Sequence, residues 1–323
     1  MKKTPPFQIN TKILNQIKEI SHELGMLSGA KLTPVPVKLR RSNKIKTIQS
    51  SLGIEGNNLS IEQVTDIIAG KHVIAPQKDV QEVNNAIKVY DDLQRWNPLS
   101  VNSLKEAHKI LMYDLLPDNG KFRSSNVGIF KNKKVVHVAP SIKRVPVLMI
   151  DLFNFLKRDK DVPWIIKACV FHYELEFIHP FQDGNGRIGR LWQQLLLIKE
   201  NPIFEFISVE SIIKSYQEKY YEVLAKCDSA GESTVFIEFS LNVILVALKK
   251  YIDSVSSQVT DTRSRLEYVK RFIGDRWFFR KDYIKSLKNI STATASRDLQ
   301  KGIEEGFLVR VGDINQSRYR FKK

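Results

Sequence analysis

Cysteine is scarce in this chain: Cys169 and Cys227 are the only two among 323 residues. Widely spaced, they exclude a disulfide or zinc framework and read as buried thiols in a reducing, cytoplasmic setting. Long apolar runs are also missing. The best uncharged one, Phe239 to Leu248, is half the ~20 residues that a membrane span needs, so no membrane is expected as a partner. Met1-Lys2-Lys3 leads into Thr4-Pro5-Pro6 rather than into an apolar stretch, so no secretory leader is expected. No repeat or low-complexity tract is present. Acid is short: 35 Asp and Glu stand against 51 Lys and Arg, a net charge of +16. With 42% hydrophobic and 27% charged residues, disorder as the main state is excluded.

The positive charge is uneven. Residues 1–50 carry 10 Lys and Arg against 2 acids, and residues 261–323 carry 16 against 8. Residues 51–260 balance at 25 against 25. A neutral body between two basic ends follows, and a basic end can mark nucleic-acid contact or a merely solvated face.

The pattern is mainly α. Ile9 to Leu24 carries Ile13, Leu14, Ile17 and Ile20 near helical spacing, and Pro34-Val35-Pro36 breaks it. A second helix is expected over Asn43–Glu55, stopping at Gly56. Ser60 and Gln63 stand in capping-box spacing. Further amphipathic helices are expected over Val80–Trp96, Ser103–Leu116 and Val145–Lys157. Pro163–Phe177 and Ile188–Ile198 are apolar almost throughout and should form the buried centre. Ser208–Cys227 and Thr234–Val259 complete the helical body. Val127 to Val138 instead reads as two short strands around Asn132-Lys133, a hairpin with an edge open to a partner strand.

The chemistry concentrates in His179-Pro-Phe-Gln-Asp183-Gly184-Asn185-Gly186-Arg187-Ile-Gly-Arg190. A glycine-containing loop between two apolar helices forms an anion nest, and the second helix adds its free N–H groups and positive dipole end. Arg187 and Arg190 add forked cationic donors. Asp183 suits Mg²⁺, which bridges phosphates with one or two protein carboxylates. His179 is a base near neutrality at the loop mouth. Together these describe nucleotidyl or phosphoryl transfer, with the attacking hydroxyl supplied by the target.

This segment resembles the Fic (filamentation induced by cAMP) signature, H-x-F-x-[D/E]-G-N-G-R-x-x-R, at every defined position. The resemblance runs over roughly residues 45–260. It implies a helical core with a β-hairpin flap, and transfer of AMP from ATP to a Ser, Thr or Tyr hydroxyl of a target protein. It implies that His179 deprotonates that hydroxyl and Asp183 holds Mg²⁺. Gly184, Asn185, Gly186 and Arg187 would hold phosphates, and Arg190 the γ-phosphate. Gly186 stands where the related Doc kinases have Lys, which favours AMP transfer over phosphorylation. Val127, Gly128, Ile129, Phe130, Val136, His137 and Val138 resemble the flap that registers the target by strand addition. Tyr220, Tyr221 and Asp228 fall where the family contacts adenine, although Asn is more usual than Asp at the last. A homodimer is also implied. The domains expected are a helical region over 1–100, a catalytic core over 101–260 and a C-terminal domain over 261–323.

Ser51-Leu-Gly-Ile-Glu55-Gly56 fits the family's inhibitory motif, [S/T]-x-x-x-E-[G/N], within a helix at about 43–56. Glu55 at its end can pair with Arg190 and deny it to the γ-phosphate. From about Arg265, helices over Leu266–Ile273, Phe278–Leu287 and Ser291–Glu305, then strands over Phe307–Val311 and Arg318–Phe321 joined at Gly312-Asp313, resemble the small winged-helix (α+β) tail of many bacterial Fic proteins. Arg297, Arg310, Arg318 and Arg320 suit DNA contact; dimerisation or target docking is the other use of such a domain. The expectation is a self-inhibited protein adenylyltransferase, able to modify itself. The alternatives are a DNA-binding regulator using the Fic body as a nucleotide sensor, and an enzyme that removes AMP through Glu55.

Overall fold

The computed structural model describes residues 4–29, 37–131, 134–257, 261–287, 290–312 and 317–322. The chain falls into two compact units, Met1–Ile17 with Val37–Ala247, and Lys18–Pro36 with Leu248–Lys323. Helices dominate, as the apolar spacing predicts. They begin with α1 (Thr11–Gly29), α2 (Val37–Ile54), α3 (Ile61–Ile68), α4 (Gln77–Tyr90) and α5 (Val101–Leu111). A hairpin follows, β1 (Gly128–Lys131) and β2 (Lys134–Val138). Then come α6 (Val145–Arg158), α7 (Trp164–Ile178), α8 (Asn185–Glu200), α9 (Val209–Ser215), α10 (Gln217–Ala230) and α11 (Thr234–Ser257).

The first unit is organised around α7 and α8. Ile166, Cys169, Val170 and Leu175 from α7 and Ile188, Leu191, Trp192 and Leu196 from α8 are fully buried. A helix apolar on all sides can only be stable when covered on all sides. Burying each large side chain is worth about 1.5–3 kcal/mol. Gly189 permits the close approach: a Cβ there would stand 3.2 Å from Leu175 and 3.3 Å from His172. Both cysteines are buried and free. No described helix is long and apolar enough to cross a membrane.

Local signals set the ends. Ser60 and Gln63 form the expected reciprocal capping box. Gly56 adopts φ +94°, the left-handed conformation that stops α2. Several boundaries differ from expectation, among them α5, which ends at Leu111 rather than Leu116. Helix α2 begins at Val37, six residues early. The stretch over Val80–Trp96 leaves α-helix at Tyr90 and continues as a 3-10 turn over Leu93–Arg95. Ser208–Cys227 is two helices divided at Tyr216, whose N–H is shared between the carbonyls of Ile212 and Ile213. Pro34-Val-Pro36, Asn132-Lys133 and Asp313 lie outside the described residues.

The second unit carries α12 (Thr262–Ile273), β3 (Phe278–Phe279), α13 (Arg280–Ser286), α14 (Thr292–Glu304), β4 (Leu308–Val311) and β5 (Arg318–Phe321). The segment over Phe278–Leu287 is not one helix. Its two phenylalanines form a strand, and the sheet is three-stranded in the order β3-β5-β4, all antiparallel. Phe278 pairs with Tyr319 and is buried against Phe321, so sheet packing overrides the helical reading. Asp298 is the polar centre of this unit. It takes Arg265 at both carboxylate oxygens, and accepts from Thr262 and Tyr283.

Candidate active site

Helix α7 ends on His179, a non-glycine residue at φ +49° and ψ +59°. Left-handed backbone is unfavourable for such a residue, and Arg123 holds it there. The Arg123 Nε donates to the His179 carbonyl at 2.8 Å, and its backbone N–H to the Pro180 carbonyl at 2.9 Å. The same guanidinium donates to the carbonyls of Ser125 and Pro140, at the two roots of the hairpin. One buried side chain thus joins the loop after α7 to the β1–β2 hairpin. Burial lowers its pKa.

The loop itself is closed by Asn185. Its side chain accepts from the Phe181 N–H and donates to the Phe181 carbonyl, both at 2.9 Å. The amide expected to meet phosphate is therefore engaged within the loop. His108 supports the loop from beneath. The Gly120 N–H donates to its Nδ1, so the proton sits on Nε2, which donates to the Asp183 carbonyl at 2.8 Å. Its ring stacks on Phe181 at 3.7 Å between centroids. Burial lowers the His108 pKa to about 4, so it stays neutral at physiological pH.

Asp183 accepts at Oδ1 from the Gly184 N–H at 2.6 Å and from Arg187 at 3.0 Å. Its side chain remains 58% exposed. That leaves an accessible carboxylate beside the helix N-terminus, in keeping with a hard cation such as Mg²⁺ held by one protein oxygen and by phosphates. Among the described residues no three His, Cys, Asp or Glu side chains cluster as a metal site of their own. Arg187 is fixed on its other side by Glu82 of α4 at 2.9 Å. Glu82 in turn accepts from Asn57 at 2.9 Å.

Ser51 and Glu55, far from the loop in sequence, meet it in space. Arg190 is 1% exposed. It donates to Glu55 Oε1 at 2.7 Å, to the Ser51 carbonyl at 2.9 Å and to the Ser51 hydroxyl at 3.2 Å. Burial works against its charge; Glu55, with Tyr220 and Glu176, more than offsets that, and the pKa rises. Its Nη1 is buried without a hydrogen bond. The Glu55 carboxylate also covers Gly186: a Cβ there would overlap Glu55 Oε1 and stand 3.0 Å from Arg190 Nη1. A carboxylate thus occupies the place where the sequence reading expects an anion, beside a buried guanidinium nitrogen that makes no hydrogen bond.

The residues expected at the base are arranged less openly. Tyr220 is buried, donating to Glu176 at 3.2 Å and meeting His172 at 3.1 Å. Tyr221 is partly exposed and donates to the Ile54 carbonyl at the end of α2, at 3.2 Å. Asp228 accepts from Tyr173 at 3.1 Å, and burial together with Asp228 pushes the Glu174 carboxyl up to about 7. The flap pairs Gly128 with Val138 and Ile129 with His137. Its register then shifts, so Phe130 pairs with Val135. As a two-stranded sheet it keeps an unpaired edge on each strand among the described residues. Arg123, His108 and Glu82 were absent from the sequence reading.

A helical body with a histidine, carboxylate and arginine loop at a helix N-terminus defines a class, and comparison with known proteins names it. Residues 98–197 match the Fic/DOC family. The crystal structure of a Fic family protein from Desulfovibrio desulfuricans G20 is 39% identical, with 99% of this chain and 98% of that chain covered and a TM-score of 0.73. The chain belongs to the Fic/DOC family. Its fold is also that of Fic-1 from C. elegans, at 20% identity and a TM-score of 0.61 over 76% and 74% of the two chains. Among curated proteins it is 27% identical over 234 residues to Protein adenylyltransferase Fic of Culex quinquefasciatus, and 24% identical over 261 residues to Protein adenylyltransferase fic-1 of Caenorhabditis briggsae. These alignments cover 68% and 77% of this chain but 44% and 48% of the relatives. The chain therefore matches less than half the length of either.

Proposed function

We propose that this chain is a self-inhibited protein adenylyltransferase, transferring AMP from ATP to a hydroxyl side chain of a target protein. One observation carries the reading: Glu55 lies on both Gly186 and Arg190, where a phosphate would lie. His179, held at the loop mouth by Arg123, takes the proton from the target hydroxyl. The hydroxyl oxygen attacks the α-phosphorus, and pyrophosphate leaves. Gly184 and Gly186 let the loop and the N-terminus of α8 approach the phosphates. Arg187 steadies the charge there, and Arg190, when free of Glu55, binds the γ-phosphate. Asp183 would hold Mg²⁺, whose charge offsets that building on the phosphates. The flap edge would register the target segment by strand addition.

In this reading Glu55 is the brake. If its contact biases the site by about 3–4 kcal/mol, release raises transfer by about 10²–10³-fold. The test is incubation with ATP labelled on its α-phosphate, comparing the parent chain, Glu55→Gly and Glu55→Gly/His179→Ala. Label on protein only in the single variant supports the reading. Equal labelling of parent and Glu55→Gly would sink the brake, and labelling of the double variant would sink the base.

A second reading concerns the C-terminal unit alone. Its three helices and three-stranded sheet match the parts of a winged helix. The Arg318 guanidinium lies 5.3 Å from the ring of half-exposed Phe279, and that of Arg320 4.9 Å from the ring of Trp277. A face of exposed aromatics beneath arginines favours duplex DNA as a partner.

A further inference from the structure

Arg123 stands in the irregular segment between α5 and β1, yet it is only 6% exposed. Among the described residues no carboxylate offsets its charge, and burial alone moves its pKa, downward. A cation taken out of water is costly unless its donors find acceptors. Here the acceptors are backbone carbonyls from three separate places in the chain. Nε donates to His179 and Nη1 to Ser125, both at 2.8 Å, and Nη2 donates to Pro140. A guanidinium is a rigid plane whose N–H groups point in fixed directions. Carbonyls held by three of its nitrogens therefore shift together or break away.

The three places are not equivalent. Ser125 and Pro140 flank the β1–β2 hairpin, one on each side. The root between them is closed by Asn126, whose Oδ1 accepts from the Ile142 N–H at 3.0 Å. His179 belongs to the loop after α7 and has left-handed backbone, a conformation that a non-glycine residue keeps only when its surroundings impose it. The Arg123 backbone N–H adds a bond to the next carbonyl, that of Pro180, at 2.9 Å. A weaker tie runs beside the guanidinium, where the Ser125 hydroxyl donates to Gln182 Oε1 at 3.4 Å. The backbone setting of His179, from which its imidazole projects, is thus bonded to the same plane as both roots of the hairpin.

We propose that Arg123 is a positioning residue for His179, and that it makes the hairpin and the base one mechanical unit. A shift of the hairpin when a protein segment docks along its edge then reaches the base through the guanidinium. The positioning claim rests on the proposed function, with His179 as base and the hairpin as docking element. The link between hairpin and loop rests on the hydrogen bonds alone.

Arg123→Lys keeps the charge but replaces the fork with a point donor. In the full chain, hydrogen exchange read by mass spectrometry should speed up at least tenfold in β1, in β2 and over residues 179–186 together. The buried stretches of α7 and α8 should keep their protection. Faster exchange in the hairpin alone, in the loop alone or in neither overturns the link. Faster exchange everywhere, or failure to fold, makes Arg123 merely structural and overturns it too. Asn126→Ala is the second variant, removing a bond at the hairpin root that involves neither Arg123 nor the loop. It should speed exchange over residues 179–186 several-fold in the parent and add nothing in the Arg123→Lys chain. An additive effect, or none in the parent, overturns transmission through Arg123. For the reaction, the readout is self-labelling of the Glu55→Gly chain from ATP labelled on its α-phosphate. Adding Arg123→Lys should lower the maximal rate at least tenfold and leave the half-maximal ATP concentration within twofold. An unchanged maximal rate, or a loss that appears only as a raised half-maximal concentration, overturns the positioning role. Absence of label in the Glu55→Gly chain itself is a failure of the proposed function, and takes the positioning role with it; the exchange measurements still decide the link.

Discussion

Gly186 and Glu55 are the two residues whose closeness is most sharply testable. Gly186 sits in the first turn of α8 with no positive φ, where alanine would ordinarily favour the helix by about 0.5–1 kcal/mol. Here its Cβ would collide with the Glu55 carboxylate. Gly186→Ala should therefore destabilise the parent, and should cost at least about 1 kcal/mol less in the Glu55→Gly chain; a denaturant double-mutant cycle measures the difference. His108 gives a pH prediction. Its folded pKa, about 4, lies below the ordinary 6.5. The stability linked to it is present above pH 6.5 and is lost as pH falls toward 4, amounting to about 3 kcal/mol over that window. His108→Gln should be less stable at pH 7.5 yet lose less between pH 7.5 and 4.5, by chemical denaturation at the two pH values. The loop from His179 to Arg190 was legible because its chemistry is written in consecutive residues. His108, Arg123 and Glu82 were not, because each stands alone in ordinary surroundings. Their roles come from contacts 75, 56 and 105 residues away.

Among the elements, α2 is the one whose sequence and task diverge. Its residues form no clear apolar stripe, yet Ile48 and Leu52 are buried and its last turn faces the catalytic loop. Just beyond its end, Asn57 reaches Glu82, Glu82 reaches Arg187, and Arg187 reaches Asp183. The end of α2 and Asp183 are thus joined by a polar chain that runs through the buried side chains of Asn57, Glu82 and Arg187. Glu82→Ala would leave Arg187 buried without its main partner and should cost about 3–5 kcal/mol by denaturant titration, with Glu82→Gln recovering most of it. Strand β3 shows where periodicity fails. Two residues are too few to display a period of two, and its pairing is with β5, some 40 residues later, so a helix reading absorbed it. The hairpin at Gly128–Val138 was legible because alternation and a turn signal occur together in a short span.

At the scale of the whole molecule, positive charge is shared between the two units: the first carries 31 Lys and Arg against 24 acids, and the smaller second unit, which holds the basic tail, 20 against 11. If Arg297, Arg310, Arg318 and Arg320 each meet a phosphate, duplex affinity should fall with salt at a log–log slope of about −3 to −4, measured on the full chain. A flat salt response would leave docking or dimerisation as the use of this unit. For the first unit, under the proposed function the carboxylate lying on Arg190 would be an inhibitor attached to its own enzyme. Its potency is an effective concentration set by the position of α2, whatever the amount of protein. A tethered competitor yields gradually to a free one, so the parent's transfer rate should climb smoothly with ATP over a range in which the Glu55→Gly chain is already saturated. The restraint would then raise the ATP concentration needed for half-maximal transfer, by an amount that any change in how firmly α2 is seated would reset.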